Sequence, residues 1–222
     1  MFAHLCTIFM LSIEMYDRFN FKLPDFQFAL LSSDAFDPGA VFIYPEEIEL
    51  LNARSNPIRK KEFLGVRHLR NQLKIKSPIL YKPNGCPYYS AVEHALSISH
   101  TKDFIALAIA RFPIGIDIEQ KDRDAARIIN KFAREDEKVL CTDNPKEWYL
   151  QLWCAKEAIY KLVGIENLSF KNEIHVHTRL KKAETTFLSA IVQQGTQKHD
   201  IDVQISETSD LQMAVAKFKA AP

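Results

Sequence analysis

Several features that mark specialised classes of protein are scarce or missing in this sequence. Its four cysteines lie far apart and form no C-x-x-C pair. This pattern argues against a disulfide framework and a structural zinc site, and it favours a reducing, cytoplasmic compartment. The net charge of +1 creates no overall field that would attract nucleic acid or an anionic membrane, so neither is expected as a partner. A G-x-S-x-G nucleophile motif, a low-complexity run and a legible internal repeat are also missing.

Long apolar runs are missing as well. The apolar stretch at residues 1–13 is too short to span a membrane, and it lacks the basic start of a signal peptide. We interpret it as a strand entering the core or as the result of a misplaced start codon. The whole chain is 47% hydrophobic and 26% charged, which is typical of a globular protein with a substantial core.

The order of helical and strand patterns predicts an α+β protein with two similar lobes, residues 1–112 and 113–222. Each lobe combines one long helix with several strands. The first long helix follows Pro57 and is strongly basic, and the second runs from about Lys146 to Val163. Strand patterns precede Pro113, follow it, and fill the C-terminal tail.

The stretch "GIDIE", residues 115–119, places two carboxylates on one side of a strand. Asp117 and Glu119 are two residues apart and share a face, while Ile116 and Ile118 share the other. Buried carboxylates are costly unless a cation or several donors satisfy them, and oxygen-only ligands favour Mg²⁺ over Zn²⁺. The alternative is an edge strand with a solvated acidic face, and the spacing leaves both interpretations open.

A long helix follows, and its stretch "LWCAKEAIYKL", residues 152–162, carries three charges among apolar residues. Glu157 and Lys161 lie four residues apart on one face, beside Trp153. This pattern indicates either an ordinary ion pair or a desolvated acid suited to acid–base or metal chemistry. Lys156 points about 100° away from Glu157 and is expected to form a salt bridge or to touch a ligand. The opposite face is predicted to be core and consists of Ala155, Ala158, Ile159 and Leu162.

Candidate ligands for phosphate occur in two places. Ser99 and His100 lie at the end of a strand in "SISHT", and a hydroxyl and an imidazole both suit a phosphate oxygen. The basic helix carries six cations: Arg59, Lys60, Lys61, Arg67, Arg70 and Lys74. These cations form either a solvated face or a local binding site for a polyanion.

Taken together, these stretches resemble the 4′-phosphopantetheinyl transferase superfamily, specifically its monomeric, two-lobed, surfactin-synthetase-activating type. The matching elements occur in order as "RKKEFLGVR", "NGCP", "SISHT", "GIDIE", "KFAREDE", "WCAKEAIYK" and "LSFKNEI". The combination of "GIDIE" with W-x-x-K-E-A-x-x-K is the specific part of the resemblance. The resemblance implies a monomer in which the two lobes form a pseudo-twofold pseudodimer, with the active site between them.

The resemblance also implies an activity. Such enzymes transfer the phosphopantetheine arm of coenzyme A (CoA) to a serine of an acyl or peptidyl carrier protein and release adenosine 3′,5′-bisphosphate. By their positions in the motifs, Asp117, Glu119 and Glu157 would hold Mg²⁺ on the CoA pyrophosphate. Lys161 would contact the same pyrophosphate, and we expect Glu157 to take the serine proton, either directly or through a metal-bound water.

Further residues match the part of the family that binds CoA. Ser99 and His100 correspond to the Ser-His pair that touches the CoA phosphates. Lys61 and Arg67 lie where the family places basic contacts to the 3′-phosphate.

The sequence departs from the family in two places. Cys86 stands in "NGCP" where the family commonly has a lysine that binds the 3′-phosphate, and Lys82 is the nearest lysine to replace it. The stretch "FAREDE" offers three acids, Glu135, Asp136 and Glu137, where the family often has one. The first departure favours an alternative function, a catalytically weakened module of the same fold that binds CoA or a carrier protein.

Overall fold

A computed structural model describes residues 25–141 and 143–220 of the chain. The chain divides into two compact units, Met1–Phe112 and Pro113–Pro222. The N-terminal stretch interpreted as a strand lies outside the described residues. Of the helices in the described residues, none is long and apolar enough to cross a membrane. The location of the active site between two lobes stays a prediction.

The described part of the N-terminal unit, from residue 25, begins with a strand that pairs with the last strand of the unit. Its elements are β1 (Phe26–Ser32), a 3₁₀ turn (Pro38–Ala40), α1 (Pro45–Asn52), α2 (Pro57–Gln72), β2 (Ile79–Tyr81), β3 (Pro87–Tyr89), β4 (Ala95–His100) and β5 (Phe104–Ala110). β5 lies between β1 and β4 in an antiparallel sheet, and β2 and β3 form a separate hairpin.

Helix α2 begins where the sequence supplies a cap and a proline. The Asn56 side chain accepts a hydrogen bond from the backbone N–H of Ile58, and Pro57 occupies the first turn, where an N–H would have no helical partner. The apolar face of the helix packs on the sheet, where Val66 and Leu69 join a buried cluster with strand residues. The predicted basic helix therefore packs on the sheet through its apolar stripe.

The C-terminal unit has a larger sheet. Its elements are β6 (Gly115–Gln120), a 3₁₀ turn (Ala125–Ile128), α3 (Ile129–Phe132), α4 (Glu135–Lys138), α5 (Pro145–Val163), β7 (Ile174–Lys182), β8 (Thr185–Gln194), β9 (Gln197–Glu207) and β10 (Leu211–Phe218). The strands form one antiparallel sheet in the order β6-β10-β9-β8-β7. Helix α5 packs against β6 and β10, and its boundaries confirm the helix predicted from the sequence.

The two units repeat the same order of elements. Over residues 25–141 and 143–220, each runs through a strand, a 3₁₀ turn, one or two short helices, a long helix and four more strands, and in each the last of these strands pairs with the first. The predicted α+β class is confirmed. The repeat was not visible in the sequence because what is repeated is the order of helices and strands, not a pattern of residues. The pseudo-twofold relation between the units stays a prediction.

The glycine of "GIDIE" brings β6 and α5 into backbone contact. A Cβ atom on Gly115 would collide with the carbonyl oxygen of Ala158 and would lie 2.6 Å from the backbone nitrogen of Leu162, so no larger residue fits. This close approach sets the distance between the acids of β6 and the charges of α5.

Candidate active site

The two acids of β6 lie on the side of the strand that faces α5. Asp117 is opposite Ala214 in the register of β10, and Ala214 belongs to the core beneath α5. The residues Asp117 and Glu119 are only 5% and 7% exposed. β6 is an edge strand, as the alternative interpretation required, but its acidic face is not solvated.

Lys161 binds the first of these acids. Its ammonium nitrogen lies 2.7 Å from Oδ1 of Asp117 and is held there from one turn beyond Glu157 on α5. A lysine beside carboxylates in a poorly solvated place remains a strong partner for phosphate oxygens. The charged face predicted for α5 and the acidic face of β6 are thus brought together.

Glu157 is a half-buried acid whose proton affinity is raised. Burial raises the pKa of Glu157 to about 7, and the Asp117 carboxylate contributes to the rise while the Lys161 ammonium opposes it. An acid with this pKa is partly protonated near neutral pH and is suited to proton transfer.

Glu119 is held by two donors that the sequence did not identify as partners. Its Oε1 accepts hydrogen bonds from Nη1 of Arg123 at 2.5 Å and from the indole Nε1 of Trp153 at 2.6 Å. Burial and the neighbouring Asp117 raise the pKa of Glu119, while Arg123 and Trp153 oppose the rise. The Arg123 guanidinium also lies 4.9 Å from the centre of the Trp153 ring.

The donor set of these acids fits a hard divalent cation in chemical type. Asp117, Glu119 and Glu157 offer only oxygen ligands, and burial and mutual repulsion raise the pKa of Glu119 and Glu157. Within residues 25–141 and 143–220, no group of three or more His, Cys, Asp or Glu side chains is arranged as a metal site. To share a cation, the three carboxylates would therefore have to rotate away from their present partners, such as Lys161 and Arg123.

The predicted contacts from the N-terminal unit have different surroundings. Ser99 is 3% exposed, whereas the His100 side chain is 37% exposed. Neighbouring residues of a strand point to opposite faces, so the Ser99 and His100 side chains lie on opposite faces of β4. The His100 ring lies 3.2 Å from Nη1 of Arg59 and 3.5 Å from a carboxylate oxygen of Glu62, both on α2. Arg59, which the sequence had treated only as part of the basic helix, is therefore an accessible cation beside the His100 ring.

Lys61 and Arg67, both predicted to contact the CoA 3′-phosphate, differ completely in accessibility. Lys61 pairs at 2.6 Å with the exposed Asp34 and remains open to solvent. Arg67 is fully buried, and its guanidinium donates to Glu47, to Tyr81 and to the carbonyl oxygen of Ile79. A side chain engaged in this way presents no donor to a ligand, so the expectation for Arg67 is corrected to a structural role.

Lys156 forms a salt bridge, one of the two roles predicted for it. Its ammonium lies 2.7 Å from Oε2 of Glu137, and both side chains are completely buried. Glu137 is thereby distinguished from the other two acids of "FAREDE", because Glu135 and Asp136 are exposed and pair with surface cations. Sequence spacing could not have shown this, since the pairing depends on how α4 packs against α5.

Comparison with known proteins agrees with this geometry. The family model described as the 4′-phosphopantetheinyl transferase superfamily matches residues 113–216, a segment that contains Asp117, Glu119, Glu157 and Lys161. Over 92 residues the chain is 29% identical to the 4′-phosphopantetheinyl transferase gsp of Aneurinibacillus migulanus. That match covers 39% of this chain and 38% of the relative, well under two thirds of either. The resemblance to the 4′-phosphopantetheinyl transferase superfamily that the sequence predicts is confirmed by these matches.

Proposed function

We propose that this chain transfers the 4′-phosphopantetheine arm of CoA to a serine of an acyl or peptidyl carrier protein and releases adenosine 3′,5′-bisphosphate. The proposal rests mainly on one observation. Within the segment that matches the superfamily, β6 and α5 bring three carboxylates and a lysine together in a largely buried place. Such a set of opposite charges suits a reaction that moves a phosphoryl-type group.

The proposed step is a substitution at phosphorus. The serine oxygen attacks the β-phosphorus of CoA, the bond from that phosphorus to the oxygen shared with the α-phosphate breaks, and adenosine 3′,5′-bisphosphate leaves. Asp117, Glu119 and Glu157 would hold Mg²⁺, which when bound neutralises charge on the pyrophosphate. Lys161 lies beside Asp117 and adds a cation where the leaving group gains charge.

Glu157 is proposed to accept the proton of the attacking serine. In the metal-free chain its pKa of about 7 is close to neutral pH, which balances the ionised fraction against basicity. Asp117 and Glu119 are less suited, because Oδ1 of Asp117 is bound by Lys161 and Oε1 of Glu119 is bound by Arg123 and Trp153.

Lys61 and His100, whose side chains are exposed, are proposed to bind the phosphates of CoA, and for Ser99, which is 3% exposed, this contact stays a prediction from the resemblance. Arg59 joins this set because its guanidinium lies beside the His100 imidazole and its side chain is 59% exposed. Arginine suits phosphate because its planar fork donates two parallel hydrogen bonds.

The direct test is a search for the product. The chain is incubated with an apo carrier protein, CoA and Mg²⁺, and the carrier is weighed by mass spectrometry. We expect a carrier heavier by one phosphopantetheine group, and no gain on a carrier whose acceptor serine is replaced by alanine. If no carrier gains mass although the chain binds CoA, the second candidate, a CoA- or carrier-binding module, replaces the first.

The observation in favour of that second candidate is Cys86. It lies at the tip of the β2–β3 hairpin, where its N–H donates to the Asn84 side chain and its carbonyl oxygen accepts from the backbone N–H of Lys82. The position is partly exposed, so a longer side chain can extend into solvent.

We expect Cys86→Lys to tighten CoA binding, because it places a cation at the hairpin tip where the family commonly has one. A single charge-assisted contact corresponds to about 1–2 kcal/mol, or roughly a tenfold lower Kd. Calorimetry of CoA and of dephospho-CoA, which lacks the 3′-phosphate, measures the effect. The gain should be confined to CoA, and equal Kd values for the wild type and the variant would show that the hairpin tip is not a contact.

A further inference from the structure

The buried ion pair of Lys156 lies beside the proposed active site but touches none of its acids. The Lys156 ammonium nitrogen lies within 2.8 Å of Oε2 of Glu137 and of the carbonyl oxygens of Phe132, Phe170 and Ile174, so its three N–H groups are shared among four acceptors. Glu137 also accepts the backbone N–H groups of Arg134 and Val176. We call these contacts the Glu137 cluster.

Stability by itself is a weak reason for such a pair. Removing two charges from water is expensive, and an apolar pair of similar volume is often as stable or more stable. A buried ion pair does fix positions, because its partners must keep their geometry to satisfy the charges. The question is therefore which positions the Glu137 cluster fixes.

Two of the three carbonyl groups bound by Lys156 belong to residues whose rings enclose Trp153. The Phe132 ring lies edge-on to the Trp153 ring with centres 5.1 Å apart, and the Phe170 ring lies 5.7 Å away. The Trp153 indole N–H in turn donates to Glu119 at 2.6 Å. A continuous series of contacts thus runs from Lys156 through the backbone of the two phenylalanines to Trp153 and to Glu119.

We propose that Lys156 is a positioning residue for the proposed transfer reaction, because it fixes the backbone of Phe132 and Phe170 and thereby the Trp153 indole that orients Glu119. The effect on transfer rests on the proposed function, whereas the link from Lys156 to Trp153 does not. Residues that orient a ligand of the reacting centre commonly change activity about 10- to 100-fold when they are replaced.

The N-terminal unit supplies a matched control. Glu47 is the third residue of α1, accepts the N–H of the residue before that helix, accepts a strand N–H from Ile79, and pairs with Arg67 and Arg70. Glu137 has the same position in α4 and the equivalent partners. Both carboxylates are fully buried, and within the C-terminal unit the contacts of the Glu137 cluster lead to Trp153.

The test uses the two tryptophans of the chain, Trp148 and Trp153, labelled as 5-fluorotryptophan and observed by ¹⁹F NMR. Trp153→Phe assigns the resonances. Trp148 reports on the Glu137 cluster itself, because its indole N–H donates to the Glu137 carbonyl oxygen at 2.8 Å. The variants are Lys156→Met, the double variant Lys156→Met/Glu137→Gln and the control Glu47→Gln. The double variant is included because it leaves no unpaired buried charge and can be used if the single variant does not fold.

We expect the double variant to shift or broaden the Trp153 resonance and to lower kcat about 10- to 100-fold. Glu47→Gln should lower stability while leaving both resonances and kcat unchanged. The proposal is overturned if the Trp148 resonance moves but Trp153 does not, or if Trp153 moves and kcat stays at the wild-type value. If the wild-type chain modifies no carrier, the proposed function is wrong. A shifted Trp153 resonance in the double variant would still establish the link from Lys156 to Trp153.

Discussion

Asp117→Ala is expected to reduce transfer to a carrier protein by about 10³-fold or more. The substitution removes one of the proposed metal ligands and also the partner that holds the Lys161 ammonium 2.7 Å away. Loss of one preorganised charged group of this kind commonly changes kcat by about 10²- to 10³-fold, and here two are disturbed together. The fold should persist, because the Lys161 side chain is 27% exposed and can reach water once its partner is gone.

Single-turnover transfer, with the protein in excess of a limiting amount of CoA and the carrier saturating, measures the change in the chemical step. Glu135→Ala is the matched control, since it removes an acid of the same unit that is 82% exposed and whose salt bridge is to Lys138, away from the proposed site. We expect the control to keep wild-type activity and both variants to keep the wild-type circular dichroism spectrum. An Asp117→Ala chain with near-normal activity would remove Asp117 from the mechanism.

Glu157→Gln is expected to abolish transfer and, in metal-free protein, to raise the free energy of unfolding at pH 8. The pKa of Glu157 rises from its ordinary value of 4.5 to about 7 in the folded chain, chiefly because of burial. Its ionised form is therefore disfavoured by folding. The destabilisation is absent below pH 4.5, grows as pH rises towards 7, and is complete above 7.

The size of this effect follows from the shift in pKa. Each pKa unit corresponds to about 1.4 kcal/mol, and partial exposure of the group reduces the total to roughly 1–2 kcal/mol. Urea unfolding in the presence of a chelator, at pH 5 and at pH 8, measures it. The glutamine variant should gain stability over the wild type mainly at pH 8. Equal differences at both pH values would mean that Glu157 is not a buried, charge-sensitive acid.

Much of the fold follows from local sequence. Pro57 and Pro145 each follow an asparagine that caps the helix, and the apolar stripes of α2 and α5 have the spacing of a helix face. The strand "DFIALAIARF" is apolar on both faces, and Ile105 to Ala110 are all buried as that pattern predicts. These features depend on neighbours within one turn or one strand, which is why they are legible without the tertiary structure.

Pairings between distant residues could not be predicted in the same way. The basic helix was expected to present its cations to solvent or to a polyanion, yet Arg67 and Arg70 are buried on Glu47. No sequence spacing connects α1 with the middle of α2, because the pairing depends on how two helices and a strand pack. Trp153 as a partner of Glu119 depends in the same way on the packing of α5 against β6, whereas Arg123 lies only four residues beyond Glu119 in the chain.

The sequence by itself determined the α+β class, the boundaries of the long helices, and the two short motifs that carry the acids and the lysine, because periodicity and spacing are properties of a single segment. Only the tertiary structure decided which charges meet. It placed Lys161 on Asp117, raised the pKa of Glu157, and separated Lys156 from both by burying it on Glu137. The physical reason is that burial and Coulomb interaction depend on distances between segments, which a linear pattern does not contain.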